Sequence, residues 1–219
     1  MEVGILGATG PAGRGLAARL ASAGMAVTLG SRDPERAKGV VEDLRRRFGE
    51  RLGLLEEADN AGAIERSSVV VLGVTWKATV PTAAEHAHRL AEKVVISMAS
   101  PLAKRRDAFV AVPVPSVSVA LGVAAAAPRA MVAAAFHHVP AAAFERLDQP
   151  MDGDVVICAT APGAFDAAKS LIAAMPQMRS LDGGPLENSV ALEAFTAVLL
   201  TVNARHGGRA TLRLPEART

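Results

Sequence analysis

The chain has 219 residues, 50% of them apolar, and a formal net charge of +2 from 24 Lys+Arg and 22 Asp+Glu. That is ample for a packed core, no apolar run is long enough to cross a bilayer, and the N-terminus opens on a strand without a basic leader, so a cytoplasmic protein with no membrane partner is expected. Aromatics make up only 3% with no Tyr, too few to stack bases between the basic clusters, so no nucleic-acid partner is expected; the single Cys158, in an apolar run, excludes an internal disulfide and reads as a core residue.

Val3, Ile5 and Leu6 form a short apolar strand, and Gly7, Gly10 and Gly13 follow at once. In a dinucleotide fingerprint the first glycine permits the tight turn, the second lets a pyrophosphate approach backbone, and the third allows close helix-to-strand packing. The spacing predicts a helix from about Pro11 to Ala23, its free N-terminal amides facing the phosphates and Pro11 in the first turn, with Gly24 ending it. A second strand, Ala26–Leu29, completes a βαβ unit. At its end an NAD site would carry Asp or Glu; this chain has Ser31 and Arg32, with Arg36 one helical turn beyond. A hydroxyl and two guanidiniums suit the 2′-phosphate of NADP(H), although Ser31 equally suits the cap of the next helix, Asp33 to about Arg47.

After an apolar step at Leu52–Leu55, Glu56–Ala61 reads as a polar-faced helix. Ser67–Val74 is a continuous apolar run, as in a parallel strand covered on both faces, with Thr75-Trp76-Lys77 at its carboxyl end. Trp76 fits equally a lid over the core edge and a cofactor contact. Pro81 opens or kinks a helix to about Leu90, and Lys93–Ser97 is another buried strand. Ala103–Pro115, with Lys104-Arg105-Arg106 and two prolines, reads as a strap across an opening. Ser116–Ala127 reads as a helix and Arg129–Phe136 as a strand. His137 or His138 at its end could act as acid or base, and no third metal ligand lies near them, so no metal is expected. Asp154–Thr160, Pro162–Ala174 and Met178–Leu181 continue as strand, helix and strand. Asp182–Ser189 then leads into an apolar helix to about Val202 that suits a homodimer. The Gly183-Gly184 pair and Pro185 fit either close approach to a ligand or the plain start of that helix.

Gly7–Gly15, Gly30-Ser31-Arg32, Ala135-Phe136-His137-His138-Val139, Leu181–Asn188 and Leu199–Asn203 together resemble the NADPH-dependent coenzyme F420 reductases, almost end to end. The resemblance implies an α/β Rossmann-type fold: a doubly wound parallel sheet in an NADP-binding domain (1–140) and a small C-terminal α/β portion (141–219) completing the substrate cleft. It implies hydride transfer between NADP(H) and coenzyme F420. Carried over, Thr9, Gly10, Pro11 and Ala12 hold the pyrophosphate, and Ser31, Arg32 and Arg36 the 2′-phosphate. Val74, Leu102 and Ala141 border the nicotinamide. Gly184, Pro185, Leu186 and Asn188 close the deazaflavin half, and His137 or Asn188 meets a ring edge. Val74-Thr75-Trp76 and Met98-Ala99-Ser100 depart from the archaeal pattern of Ile-Pro-Trp and Pro-Leu-Val. The acidic tail of a deazaflavin cofactor calls for a basic entrance, for which Lys104–Arg106 is the nearest candidate and Arg205 and Arg209 the alternatives. Two other readings share the first half of the chain: an NADP-dependent reductase of a small carbonyl or imine, with His138 or Lys77 as proton donor, and a non-catalytic NADP(H) sensor.

Overall fold

The computed structural model describes residues 1–7 and 9–215; Ala8 of the glycine motif and Arg218 of the basic tail lie outside the described residues. Strand β1 (Glu2–Leu6) is buried from Val3 onward, α1 (Pro11–Ser22) follows the glycine turn, and β2 (Ala26–Ser31) runs parallel to β1 with Ile5 opposite Leu29. Helix α2 (Pro34–Phe48) has Asp33 at its N-cap, the carboxylate accepting from the Glu35 N–H at 3.2 Å. Its last turn carries Arg45, Arg46 and Arg47, which suits the negative end of the helix dipole.

The polar helix expected at Glu56–Ala61 is instead strand β3 (Leu55–Asp59) followed by α3 (Asn60–Glu65). Glu56 and Glu57 favour a helix intrinsically, but β2 offers an unpaired edge, and β3 satisfies it in parallel register with Val27 opposite Leu55. At the edge of the sheet the glutamates stay wet while Leu55 is fully buried. Asp59 then starts α3, accepting from the Gly62 N–H at 2.7 Å.

Strand β4 (Val69–Leu72) is buried throughout, α4 (Trp76–Glu85) contains Pro81 rather than starting there, and α5 (Ala87–Leu90) leads to β5 (Val94–Ser97). The expected strap is an antiparallel hairpin, β6 (Leu102–Arg105) and β7 (Ala108–Ala111), turned by Arg106 at φ 53°. A left-handed arginine replaces the usual glycine, so the sequence carries no hairpin signal there. Helix α6 (Val119–Ala126), β8 (Met131–Ala134), α7 (Ala141–Phe144), β9 (Gly153–Ala159), α8 (Pro162–Ala173), β10 (Met178–Pro185), a 3-10 turn (Leu186–Asn188) and α9 (Ser189–His206) complete the chain.

The main sheet has eight strands in the order β10-β9-β8-β5-β4-β1-β2-β3. Six run parallel; β9 turns antiparallel to β8, and β10 follows β9. Residues beyond 140 contribute β9 and β10 to this same sheet. Apolar side chains cover both faces, Leu16, Leu29, Phe136, Phe144 and Leu171 on one and Ile64, Leu90, Val123 and Leu186 on the other. No helix among the described residues is long and apolar enough to cross a membrane.

One buried charge ties α1 to the second half of the chain. Arg19, 5% exposed, donates from its guanidinium to the carbonyls of Ala143 (3.0 Å), Phe144 (3.1 Å), Arg146 (2.6 Å) and Gln149 (3.3 Å). A four-residue helix such as α7 does not persist alone, and Arg19 satisfies the carbonyls at its end. Replacing Arg19 by Ala strands these acceptors, so a loss of at least about 3 kcal/mol is expected in denaturant unfolding, only partly recovered by Lys, which lacks the planar fork. A loss below about 1 kcal/mol would show that the brace does not hold α7.

Candidate functional site

The carboxyl ends of the parallel strands open into a groove of about 620 Å³. Gly7, Thr9, Gly10, Pro11 and Ala12 form one wall, Gly73, Val74 and Thr75 the other, and Ser31, Arg32 and Arg36 the far end. Gly7 has φ 100°, and a Cβ on it would lie 2.7 Å from the Gly73 carbonyl; a Cβ on Gly13 would lie 2.8 Å from Gly7 O. Packing alone requires those two glycines. Gly10 differs: φ is −82°, and an added Cβ would meet nothing in the protein closer than 3.5 Å. Its bareness serves the groove, which fits a group that must approach backbone there. No side chain caps the N-terminus of α1, so its first-turn amides are left to the groove, as a pyrophosphate requires.

At the far end the Ser31 hydroxyl accepts from the Asp33 N–H at 3.1 Å, and Arg36 pairs with Asp33 at 3.3 Å in an exposed contact worth little. Arg32 is exposed and makes no ion pair among the described residues. Asn60 also lines the groove; it is 7% exposed and its side-chain oxygen has no hydrogen-bond partner. No local pattern marks Asn60, which lies in the Glu56–Ala61 stretch whose polarity suggests a helix.

Ala12 also borders a second compartment of about 230 Å³. Its walls are Met98, Ser100 and Leu102 after β5, His137 and Ala141 after β8, and Thr196, Leu199 and Leu200 of α9. Val74 thus lies in the groove while Leu102, His137 and Ala141 lie in the adjoining compartment. Phe136, at φ 67°, turns the chain from β8 into the histidines. His137 is 6% exposed, neither ring nitrogen has a partner in hydrogen-bond geometry, and its pKa falls to about 3, chiefly through burial and then through His138, against a weak opposing pull from the Ala99 backbone. His138 accepts from the Val156 N–H at 3.3 Å, and burial lowers its pKa to about 4. Both imidazoles are neutral at pH 7.

Comparisons with known proteins identify the family. The family described as NADP oxidoreductase, coenzyme F420-dependent, matches residues 2–101, from β1 to the carboxyl end of β5. The F420-dependent NADP reductase of Methanocaldococcus jannaschii is 32% identical over 96% of both chains. The chain belongs to the F420-dependent NADP reductase family. The reductase of the same name from Methanothermobacter marburgensis is also 32% identical, over 99% of this chain and 100% of its own. A solved structure from Arthrobacter sp. FB24, a putative F420 dependent NADP-reductase, shares the fold at a TM-score of 0.81 over the full length of both chains with 21% identity.

The second motif expected in this reductase's cleft is placed elsewhere. Gly184, Pro185, Leu186 and Asn188 line neither the groove nor the compartment. Because β9 and β10 run against the parallel strands, they carry this block away from their carboxyl ends. Gly183 is needed for packing, since a Cβ there would lie 2.6 Å from Val156 and 2.8 Å from Cys158. Leu186 is 2% exposed within the core, and the Asn188 amide donates to Gly183 O at 2.8 Å. Burial raises the Cys158 thiol to about 11, which leaves it inert.

What the sequence did not reveal is the α9 wall and its clasp. Thr196 donates to the carbonyls of Leu192 (3.1 Å) and His137 (3.3 Å) and accepts from Ser100 at 3.1 Å. One turn earlier the Glu193 carboxylate accepts from the N–H groups of Val119 (2.8 Å) and Ala120 (2.9 Å), and Ser189 shares a 2.8 Å hydrogen bond with Ser118. Glu193 is 2% exposed, and burial raises its pKa to about 7 despite these donors.

Two opposite pH dependences follow. Glu193 binds a proton in the folded chain between its ordinary 4.5 and about 7, where the unfolded chain does not, so its contribution to stability falls as pH rises through that window. The histidines reject protons that the unfolded chain takes below 6.5, so stability falls as pH drops from there toward about 4. Relative to wild type, Glu193→Gln should gain stability from pH 5 to about 7.5, and His137→Phe should gain it from 6.5 down to about 4. Calorimetric melting across that range checks both, and variant curves parallel to wild type would contradict the assignments.

Proposed function

We propose that the chain transfers a hydride between NADP(H) and coenzyme F420, and that its two adjoining spaces are the two halves of that reaction site. The observation that carries this reading is the junction at Ala12: a basic-ended groove fitted to a dinucleotide meets a mostly apolar compartment over one residue. When bound, nicotinamide and deazaflavin supply the hydride donor and acceptor. The chain's task is to place them, exclude water and keep charges away from the transfer.

Thr9, Gly10, Pro11 and Ala12, with the α1 amides, hold the pyrophosphate. Ser31, Arg32 and Arg36 meet the 2′-phosphate as charge-assisted donors. Val74, Leu102 and Ala141 flank the junction as apolar walls, and neutral His137 offers both a donor and an acceptor to a ring edge. The carbonyl- or imine-reductase alternative needs a proton donor beside the reacting carbon. His137 and His138 are neutral, with pKa values of about 3 and 4, and Lys77 is exposed beside Trp76, outside both spaces. The same reading includes a cytoplasmic homodimer, since α9 presents Phe195, Val198 and Val202 outward on one face.

The direct test mixes the protein, NADPH and oxidised coenzyme F420 and follows the deazaflavin absorbance. A fall that requires all three supports the reading; no change with active cofactors would end it. Arg32→Ala should raise the NADPH Michaelis constant about ten- to a hundredfold, the loss of one or more charge-assisted contacts, and leave NADH kinetics little changed. Equal effects on both cofactors would remove Arg32 from the clamp. Gly10→Val should keep the fold, because space and backbone both admit a side chain there, yet lose the thermal stabilisation given by NADPH. A full shift in that variant would place the phosphates elsewhere.

A further inference from the structure

A third cavity opens where the other two meet. It has a volume of about 430 Å³ and shares Thr9 and Pro11 with the groove and Ala141 with the compartment. Its remaining wall is charged: Arg14 of α1, Arg47 from the last turn of α2, and Glu145 and Arg146 just after α7. Three arginines thus border the cavity with one carboxylate, and Arg146 also borders the neighbouring cavity beside Asp152.

That carboxylate is fully engaged. Glu145 accepts from Arg14 at 2.5 and 3.0 Å and from Arg47 at 2.8 Å, and these partners hold its pKa below the ordinary carboxylate range. Asp43 lies 3.7 Å from both Arg14 and Arg47 and balances them from behind. Arg146 makes no ion pair among the described residues; its guanidinium donates only to the neutral side-chain oxygen of Gln149, at 3.3 Å. The wall therefore keeps a net positive charge in a concave, partly buried place, where an anion is held more strongly than on open surface.

In the functional reading above, the dinucleotide's phosphates are met by α1 and the Ser31–Arg36 end, which leaves this cavity free. The cationic cluster expected to form the entrance, Lys104–Arg106, sits at the hairpin turn and lines neither the compartment nor this cavity. Arg205 pairs with Asp107 at 3.1 Å, and Arg209 borders a separate cavity beside Asp152. Resting on the functional reading above, we propose that the Arg14–Arg47–Arg146 cavity is an anion subsite that receives the phosphate-bearing, carboxylate-rich tail of the deazaflavin coenzyme, with Arg146 as the cation held ready for it.

The test compares two ligands on the full chain by fluorescence titration: coenzyme F420 and the deazaflavin riboside that lacks the phosphate and tail. Arg146→Ala should weaken coenzyme F420 by about three- to tenfold, the effect of one partly exposed charge-assisted contact, and leave the tail-less ligand and the NADPH-induced thermal shift unchanged. Arg146→Lys should retain most of the affinity and Arg146→Glu should lose more than Ala. The difference should shrink at high salt, since such charges act over about 8 Å at physiological ionic strength. No loss in Arg146→Ala, an equal loss for both deazaflavins, or a tail-specific loss produced only by alanines at Lys104–Arg106 would overturn the subsite. Wild-type protein that binds neither deazaflavin would remove the functional reading and the subsite together, whereas binding of both without discrimination by the variants removes the subsite alone.

Discussion

The structure depends on one close approach of backbone to backbone. Gly7, Gly13 and Gly73 meet where α1 crosses the ends of β1 and β4, and a Cβ on Gly73 would already lie 3.0 Å from the Gly13 Cα. With no side chain between them, the first turn of α1 sits directly over the strand ends. A methyl at Gly7 or Gly13 would wedge helix from sheet. It would therefore move everything that α1 carries: the uncapped amides, Ala12 at the junction of the two spaces, and Arg14 and Arg19 farther along.

Helix α1 is the organiser because each of its faces has a separate task. Leu16 and Leu20 are fully buried and anchor it to the sheet, each contributing about 1.5–3 kcal/mol of apolar burial. Its N-terminus faces the groove. Its opposite flank holds the segment from Ala141 to Gln149 through Arg19 and through the Arg14–Glu145 pair. The compartment wall at Ala141 is thus positioned by a helix more than a hundred residues away in sequence. The α9 wall is positioned in the same manner, by Glu193 on the N-terminus of α6 and by Thr196 on the His137 carbonyl.

These dependences explain what the sequence could disclose. The βαβ start was legible because every signal in it is local: an apolar strand, glycines at fixed spacing, an apolar helix and two basic residues at the second strand's end. Strand β3 is not legible locally because its glutamates favour a helix and only the free edge of β2 overrides them. The β6–β7 hairpin is not legible because Arg106 takes a left-handed turn that a glycine would have advertised. The Gly183–Asn188 block resembled a ligand loop because bare backbone serves close packing and close ligand approach alike. Only the reversal of β9, which no local pattern announces, decides between them. Arg19 and Glu193 had no local signature, since their partners are brought to them by the fold, and Asn60 lines the groove only once β3 and α3 have formed.

The compartment carries two of the chain's local costs. Phe136 at φ 67° occupies a conformation worth about 1–3 kcal/mol of strain for a residue with a side chain. Beside it, His137 is buried with neither ring nitrogen in good hydrogen-bond geometry and only a weak pull from the Ala99 backbone. A core built only for stability would place an apolar residue there, because neutral imidazole in a dry wall gains nothing from packing that Leu would not supply. His137 instead lines the apolar compartment that meets the groove at Ala12. A ligand with a polar ring edge recovers the unmet hydrogen-bonding capacity of His137 on binding, and the folded state is then stabilised by an amount that grows with the logarithm of ligand concentration above its dissociation constant.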